Sequence, residues 1–258
     1  WLMRANVYLQ LYNYDAVKLQ KDPNYKARYP DAVWTANESF LKALQLNPKV
    51  EPREKMFSAN YGQSLCAAPL FDLGVKAFQA KDYSNAEKYF TTASTDFMLG
   101  RDTVDAGKAC YLLAVVYSAQ QDQANAKKAL IKAVNYKSNS KDVYLALHDI
   151  YMSEKDTVNR GKIIEKALQV VPAKDLDEIN LLQMGYYADL GQMDKLVPFC
   201  EKIIAAHPDS LTMISNCANY LSNGGAYAKA EEVLKTALEK YPNDFNLNKQ
   251  MGYRYFME

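Results

Sequence analysis

The sequence predicts an all-α fold built from repeated pairs of helices. Pro172, Pro208 and Pro242 each follow an amphipathic stretch, and they lie 36 and 34 residues apart. The residue before a proline is pushed out of the helical region, so each proline marks the end of a helix. Small and aromatic residues recur at about the same interval. A period of this length is typical of stacked repeats rather than of one closed core.

The composition is typical of a folded protein, and its charge balance argues against a polyanionic partner. Of the 258 residues 49% are apolar and 24% are charged, which excludes a disordered chain. The formal net charge is +1, and no run of like charges occurs. Because nucleic-acid binding depends on clustered Lys and Arg, we expect no nucleic-acid partner. No apolar stretch reaches the roughly 18 residues that a membrane-spanning helix needs.

The helix that follows the turn at residues 224–226 illustrates the repeating face. Apolar residues occupy positions i, i+3, i+4, i+7 and i+8, namely Ala230, Val233, Leu234, Ala237 and Leu238. This spacing places them on one side of a helix. Small residues at helix crossings allow backbones to approach, and larger residues fill the space between them. The pattern therefore predicts closely stacked helices.

Two units carry a more specific pattern. The unit that begins at Ala67 has Leu73-Gly74, Tyr83, Ala86, Phe90 and Ala93, and the unit that begins at Leu211 has Tyr227, Ala230, Leu234, Ala237 and Pro242. In these residues the chain resembles the tetratricopeptide repeat, a helix–turn–helix unit of about 34 residues. The resemblance covers nearly the whole chain. It implies a right-handed α-α superhelix of about six helix–turn–helix repeats and a terminal half repeat.

The resemblance also implies boundaries within a single solenoid over residues 1–258. The first repeat, residues 1–48, contains a long inserted loop with its tip at residues 21–30. A second insertion, residues 49–66, is predicted to be helical and broken at Gly62. The later repeats are 67–106, 107–140, 141–176, 177–210 and 211–244, followed by a half repeat at 245–258. Both ends look cut, because Trp1 enters at the fourth position of a repeat and the last segment lacks a second helix.

The sequence contains no recognisable catalytic, metal or cofactor site. Its two histidines, His148 and His207, lie 59 residues apart on different units. No phosphate-binding glycine loop, zinc-protease motif or nucleophile-elbow motif occurs. We therefore expect a protein that is not an enzyme.

The four cysteines, Cys66, Cys110, Cys200 and Cys217, form no C-x-x-C pair. Three of them fall on apolar helical faces, which is typical of small buried side chains. Cys200 and Cys217 lie on successive predicted helices, so a disulfide between them stays an open alternative.

The 20 tyrosines fall into two groups. Those at recurring aromatic positions, Tyr83, Tyr117, Tyr151, Tyr187 and Tyr227, are predicted to lie in the core with their hydroxyls at the surface. The others could line a binding surface or pack in loops.

In the tetratricopeptide family, fixed positions of each first helix line a concave groove that holds peptides. Carried over to this sequence, the candidate groove residues are Phe71, Val75, Phe78, Lys108, Tyr111, Val115, Leu145, Asp149, Met152 and Asn219. Some members grip a C-terminal carboxylate with Lys, Asn and Arg side chains. Asn219 matches one such position, and its basic partners are missing from the corresponding positions. An alternative is that the segment 49–66 fills the groove by packing on Phe71 and Phe78.

These observations favour a non-enzymatic scaffold or adaptor that binds a protein or peptide in its groove. The alternative is a targeting or regulatory repeat region of a larger multidomain protein with its active domain outside this chain. Apolar terminal helices also favour self-association. The Tyr- and Asn-rich repeats resemble those of bacterial envelope proteins, which favours a periplasmic or envelope location over the cytoplasm.

Overall fold

A computed structural model of the chain describes residues 1–46 and 58–256, and over these residues the fold is all-α. This confirms the predicted fold class. The described helices are α1 (Leu2–Lys21), α2 (Ala32–Leu46), α3 (Ala59–Gln79), α4 (Tyr83–Leu99), α5 (Thr103–Ala119), α6 (Gln123–Asn135), α7 (Lys141–Ser153), α8 (Thr157–Val170), α9 (Leu176–Asp189), α10 (Met193–Ala206), α11 (Leu211–Asn223), α12 (Tyr227–Lys240) and α13 (Phe245–Phe256). The chain divides into two compact units, Trp1–Ile150 and Tyr151–Glu258.

A recurring dipeptide joins many of the paired helices. It consists of a residue with positive φ followed by Asp, and it occurs at Lys81-Asp82, Gln121-Asp122 and Lys155-Asp156. The left-handed residue ends the first helix tightly. Each Asp carboxylate then accepts a hydrogen bond of 3.0–3.2 Å from the backbone N–H three residues later, which caps the second helix. Two adjacent residues therefore specify both the turn and the cap of the second helix.

In the first unit, helices α1 to α6 pack in sequence order, each against the next. The core holds Phe40 and Phe90, both of which are almost fully buried. A glycine lies under each ring. A Cβ atom at Gly62 would lie 2.2 Å from the Phe40 ring, and one at Gly74 would lie 2.8 Å from the Phe90 ring. These two glycines therefore allow α3 to approach its neighbours on both sides.

The first insertion lengthens a helix as well as a loop. α1 contains 20 residues and ends at Lys21, so the predicted loop tip begins where the helix ends. Residues 22–31 then lead to α2. In this link the Tyr25 hydroxyl donates a 2.7 Å hydrogen bond to the carboxylate of Asp15, which is buried on α1. That bond fastens the link to the helix.

The second insertion differs from its prediction. The expected break at Gly62 is wrong, because α3 runs without interruption from Ala59 to Gln79. Residues 59–66 are thus the first turns of the helix that carries Phe71 and Phe78. These residues therefore do not fold back over the two rings, and this part of the segment does not fill the groove there. The rest of the segment, residues 49–57, lies outside the described residues.

The second unit stacks α8 to α13. Met184, Leu196 and Leu221 anchor one apolar cluster, and Leu234 and Leu247 anchor the next. α9 contacts α11, and α11 contacts α13. The first helices of successive pairs therefore lie side by side, which brings side chains on α11 and α13 to one surface.

Candidate peptide-binding site

The three predicted groove residues on α3 occupy one face of the helix, at positions i, i+4 and i+7, and all are half-buried. Phe71 lies edge-on to Phe90 and Phe97, with ring centroids 5.6 and 6.2 Å away, and packs against the core. Its ring therefore supports the fold. Val75 and Phe78 lie further along this face, and the Phe78 centroid is 5.9 Å from that of Tyr83.

The predicted residues on α5 are more polar. Lys108 is exposed, and its ammonium group lies 2.6 Å from the Asp105 carboxylate. Tyr111 and Val115 are half-buried. Burial, together with the Asp142 carboxylate, raises the pKa of the Tyr111 phenol. This side chain is therefore neutral near pH 7 and can act only as a neutral hydrogen-bonding group.

α7 crosses from the first unit to the second between Ile150 and Tyr151. Leu145 and Asp149 belong to the first unit, and Met152 belongs to the second. Leu145 is half-buried, whereas Asp149 is exposed and has a carboxylate oxygen 3.1 Å from Nδ1 of His148.

Asn219 lies exposed on α11 at the edge of a cavity of about 420 Å³ within the second unit. Seven residues line this cavity, and all of them have a polar group: Asn219, Ser222, Asn223, Tyr227, Gln250, Tyr253 and Arg254. They come from α11, α13 and the first residue of α12. We call this cavity the amide pocket.

Arg254 supplies the cation that is missing from the predicted groove positions around Asn219. Its guanidinium carbon lies 4.9 Å from the ring centroid of Tyr227, and its Nε atom donates a 3.4 Å hydrogen bond to the Tyr227 carbonyl oxygen. The aromatic face and the carbonyl hold the planar guanidinium in place. Among the seven lining residues Arg254 is the one charged group, and the Glu231 carboxylate lies near enough to interact with it electrostatically.

Gln250 adds a hydrogen-bonding group to the wall of the pocket. Its Nε2 atom donates a 2.7 Å hydrogen bond to the Ser215 hydroxyl. Its Oε1 atom is buried and has no partner among the residues that the structure describes. A buried polar atom is normally hydrogen-bonded, so this oxygen is an unsatisfied acceptor in the wall of the pocket.

Several residues of the amide pocket could have been found from the sequence. The predicted groove positions lie in the repeats up to residue 244 and do not include the half repeat 245–258. Extending them by one repeat reaches Tyr253, the neighbour of Arg254 in sequence. Tyr227 was predicted to lie in the core, and this prediction is wrong: its side chain is 47% exposed because it begins α12 at the mouth of the pocket.

A second cavity, of about 370 Å³, lies among α10, α11 and α12. Ile204, Ile214 and Val233 form apolar walls. At its rim the Lys229 ammonium lies 2.8 Å from Glu201 and 2.9 Å from Glu232, so this cation is already paired. This cavity offers burial to a ligand but little directional recognition.

Other kinds of site find less support. Within residues 1–46 and 58–256, no group of three or more His, Cys, Asp or Glu side chains could hold a metal ion. All four cysteines are buried free thiols, so Cys200 and Cys217 are not joined. Among the described helices none has the length and apolar character to cross a bilayer. Phe245 and Phe256 on α13 are 77% and 86% exposed, and self-association through them stays a prediction.

Comparison with known proteins matches residues 107–140 to the tetratricopeptide repeat family, and this segment, which covers most of α5 and all of α6, is a tetratricopeptide repeat. The predicted repeat type is thereby confirmed. No curated protein matches the chain.

The solved structures that are similar to this chain include the following three. The first is YrrB, described as a tetratricopeptide repeat protein with an unusual peptide-binding site, at 16% identity over 83% of this chain and 97% of that chain, with a TM-score of 0.48. A tetratricopeptide repeat protein from Parabacteroides merdae has 14% identity over 97% and 86%, with a TM-score of 0.43. The pilF protein of Pseudomonas aeruginosa has 16% identity over 81% and 94%, with a TM-score of 0.41.

Proposed function

We propose that this chain, which contains a tetratricopeptide repeat, is a non-enzymatic scaffold that binds a peptide segment of another protein, with the amide pocket as its recognition site. Stacked helical repeats present extended surfaces to which peptides can bind. In this proposal the partner is an extended peptide with a carboxylate, either a free C-terminus or an acidic side chain, seated against Arg254.

The observation that carries the proposal is that Asn219 and Arg254 line the same cavity. An extended peptide has one N–H and one C=O group per residue, and primary amides such as those of Asn219 and Asn223 can donate to one and accept from the other. A guanidinium group is suited to a carboxylate because two of its N–H groups can bind both oxygens. The pocket therefore combines groups for the peptide backbone with one group for a negative charge.

The exposed and half-buried residues of the first unit have a second role in this proposal. Val75, Phe78, Tyr111 and Val115 offer apolar and aromatic area at the positions where the family binds peptides. Such area contributes affinity through burial with little directionality. Leu145 and Asp149, on the part of α7 that belongs to the first unit, would extend it. Phe71 is left out, because its ring is already packed against the core.

The test uses an array of immobilised peptides, each synthesised with a free C-terminal carboxylate and again with a C-terminal amide. Asn219→Ala and Arg254→Gln should each weaken binding to the best carboxylate peptides at least tenfold, which is about 1.4 kcal/mol. Lys202→Gln is the matched control, since it removes an equal charge from an exposed position of the same unit outside the pocket. Circular dichroism checks that every variant is folded.

Two results would contradict the proposal. One is that no peptide binds in either form. The other is that the folded Arg254→Gln and Lys202→Gln variants lose affinity equally, which would mean that only net charge matters. A second set, Phe78→Ala and Tyr111→Ala, tests the first unit by itself: loss of binding here with normal binding in the Asn219→Ala variant would move the site to that unit.

A further inference from the structure

Three sulfur atoms meet in the core of the second unit, and each comes from a different helix. Met184 lies on α9, Cys200 on α10 and Cys217 on α11. The Met184 thioether sulfur is 3.6 Å from each of the two thiol sulfurs. The Cys217 thiol also lies 3.8 Å from the carbonyl oxygen of Cys200. All three side chains are at most 1% exposed, and both thiols are free.

Because all three candidate ligands are sulfur atoms, they can bind only a narrow range of metal ions. Thiolates and thioethers are soft ligands that select soft ions such as Cu(I), whereas Mg²⁺ and Ca²⁺ require oxygen ligands. A structural zinc site uses four ligands, and this cluster has three. Leu196, Ile203 and Leu221 belong to the same apolar cluster, so water could not complete a coordination shell. A monovalent ion with few ligands fits best.

The spacing is close to what such an ion needs. Metal–sulfur bonds are about 2.3 Å long, so three sulfurs around one ion in a plane would lie roughly 4.0 Å apart. The two distances from the Met184 sulfur, both 3.6 Å, therefore require outward shifts of only a few tenths of an ångström.

We propose that Met184, Cys200 and Cys217 bind one soft monovalent metal ion, with Cu(I) as the natural candidate, and that the ion ties α9, α10 and α11 together. One thiol releases its proton to the solvent on binding. The thiolate charge then neutralises the charge of the ion, which keeps the apolar core free of net charge. No electron is transferred. Because α11 also carries Asn219, the ion would stabilise the helix that forms one wall of the amide pocket.

The experiment is an anaerobic titration of the full chain with Cu(I), in competition with a Cu(I)-specific chelator and in the presence of a phosphine reductant. A thiol assay of a denatured sample before the titration should find four free thiols. We expect one ion per chain, ultraviolet thiolate-to-metal charge-transfer absorption, and a rise in the melting temperature of the second unit, since a ligand that binds only the folded state stabilises it. Ag(I), which does not change its oxidation state, should give the same stoichiometry.

Met184→Leu is the most informative variant, because it removes the thioether with little change in core volume. It should weaken Cu(I) binding at least tenfold, and Cys217→Ser should abolish the one-to-one complex. The matched controls are Cys66→Ser and Cys110→Ser, which change buried cysteines of the first unit and should leave the affinity as it is.

Wild-type binding by Met184→Leu would overturn the proposed ligand set. Equal losses in the Cys66→Ser or Cys110→Ser variants would mean that the ion binds thiols indiscriminately, and that result would overturn the proposal as well. If Cys217→Ser does not fold, Cys200→Ala takes its place with the same expectation. Peptide binding by metal-free protein is measured separately, so failure of the metal site leaves the proposed function to its own test.

Discussion

Asn37 and Asp96, which lie 59 positions apart, form a buried hydrogen bond between α2 and α4 in the first unit. The Asn37 amide nitrogen donates to the Asp96 carboxyl, and both side chains are at most 1% exposed. Burial raises the pKa of Asp96 to about 7, and the hydrogen bond from Asn37 opposes this rise. The amide oxygen of Asn37 has no partner within the described part of the chain. A protonated Asp96 could donate to that oxygen and complete a reciprocal pair.

The Asn37–Asp96 pair predicts that the first unit becomes less stable as the pH rises. In the unfolded chain Asp96 ionises near its ordinary pKa of 3.8, and in the folded unit it ionises near 7. Its contribution to stability is therefore complete below about pH 4, is lost between pH 4 and pH 7, and stays lost at higher pH. Asp96→Asn should remove this dependence and raise the free energy of unfolding at pH 8 by a few kcal/mol, because each unit of pKa shift corresponds to about 1.4 kcal/mol.

Urea unfolding of the wild type and of Asp96→Asn at pH 5 and pH 8 measures the effect. Other titrating groups cancel in the difference between the two proteins. Asp72→Asn, which changes an exposed aspartate on α3, is the control and should differ little from wild type at either pH. An Asp96→Asn variant that is less stable than wild type at pH 8 would show that the buried carboxylate is stabilised in the folded state.

The two helical glycines Gly62 and Gly252 should respond in opposite ways to replacement by alanine. A Cβ atom at Gly62 would overlap the Phe40 ring, whereas one at Gly252 would meet no atom within 4 Å. Gly62→Ala should therefore destabilise the first unit by about 1–3 kcal/mol, the usual cost of overpacking. Gly252→Ala should stabilise α13 by about 0.5–1 kcal/mol, because alanine is the better helix former. Thermal unfolding of the two variants measures both effects, and a gain in stability at Gly62 would contradict the packing described for Phe40.

The aspartate that caps α6 should contribute to stability only while it is ionised. The Asp122 carboxylate accepts hydrogen bonds from the Asn125 backbone N–H at 3.0 Å and from its side-chain amide at 2.7 Å. Both bonds lower the pKa of Asp122, and the bond from the backbone N–H has the larger effect. A lowered pKa gives stability that is present above the ordinary pKa of 3.8 and is lost as the pH falls through the folded value. Asp122→Ala should lower the urea midpoint at pH 7, and the difference from wild type should shrink in acid.

Asp122→Ser is the control for this prediction, because serine can cap a helix without carrying a charge. Asp122→Ser should recover part of the urea midpoint that Asp122→Ala loses at pH 7. Its difference from wild type should also change less as the pH falls. Equal midpoints for the alanine and serine variants would mean that the cap contributes nothing.

The asparagine of the sequence Asn37-Glu38-Ser39 matches a glycosylation acceptor, and its burial leads to a simple expectation. Asn37 is fully buried and hydrogen-bonded to Asp96, so the folded unit cannot present it to a transferase. Intact-mass measurement of protein expressed in a glycosylating host should find no glycan at Asn37. Modification there would mean that transfer occurs before the first unit folds.

Much of the helical organisation could be predicted because it is encoded over short distances. Pro172, Pro208 and Pro242 mark helix ends through their effect on the preceding residue. Dipeptides such as Lys155-Asp156 specify a turn and a cap within a few bonds. Gly62 was misinterpreted for a physical reason: a glycine in a helix weakens it locally, but here the missing Cβ atom makes room for Phe40. Only the position of that ring, on another helix, decides between a break and a close approach.

The candidate site was predicted less completely. Asn219 was found because it occupies a position that recurs in the repeat, whereas Arg254 and Gln250 were missed because each lies one residue beyond such a position. The residues alone specify an all-α repeat chain, its turns, its apolar faces and the lack of known catalytic motifs, since these depend on neighbours within one or two helical turns. The packing of the folded chain sets which side chains from different helices meet, as Asn219 and Arg254, Asn37 and Asp96, and the sulfurs of Met184 and Cys217 do. Contacts of this kind depend on how helices distant in sequence pack together, which no local pattern records.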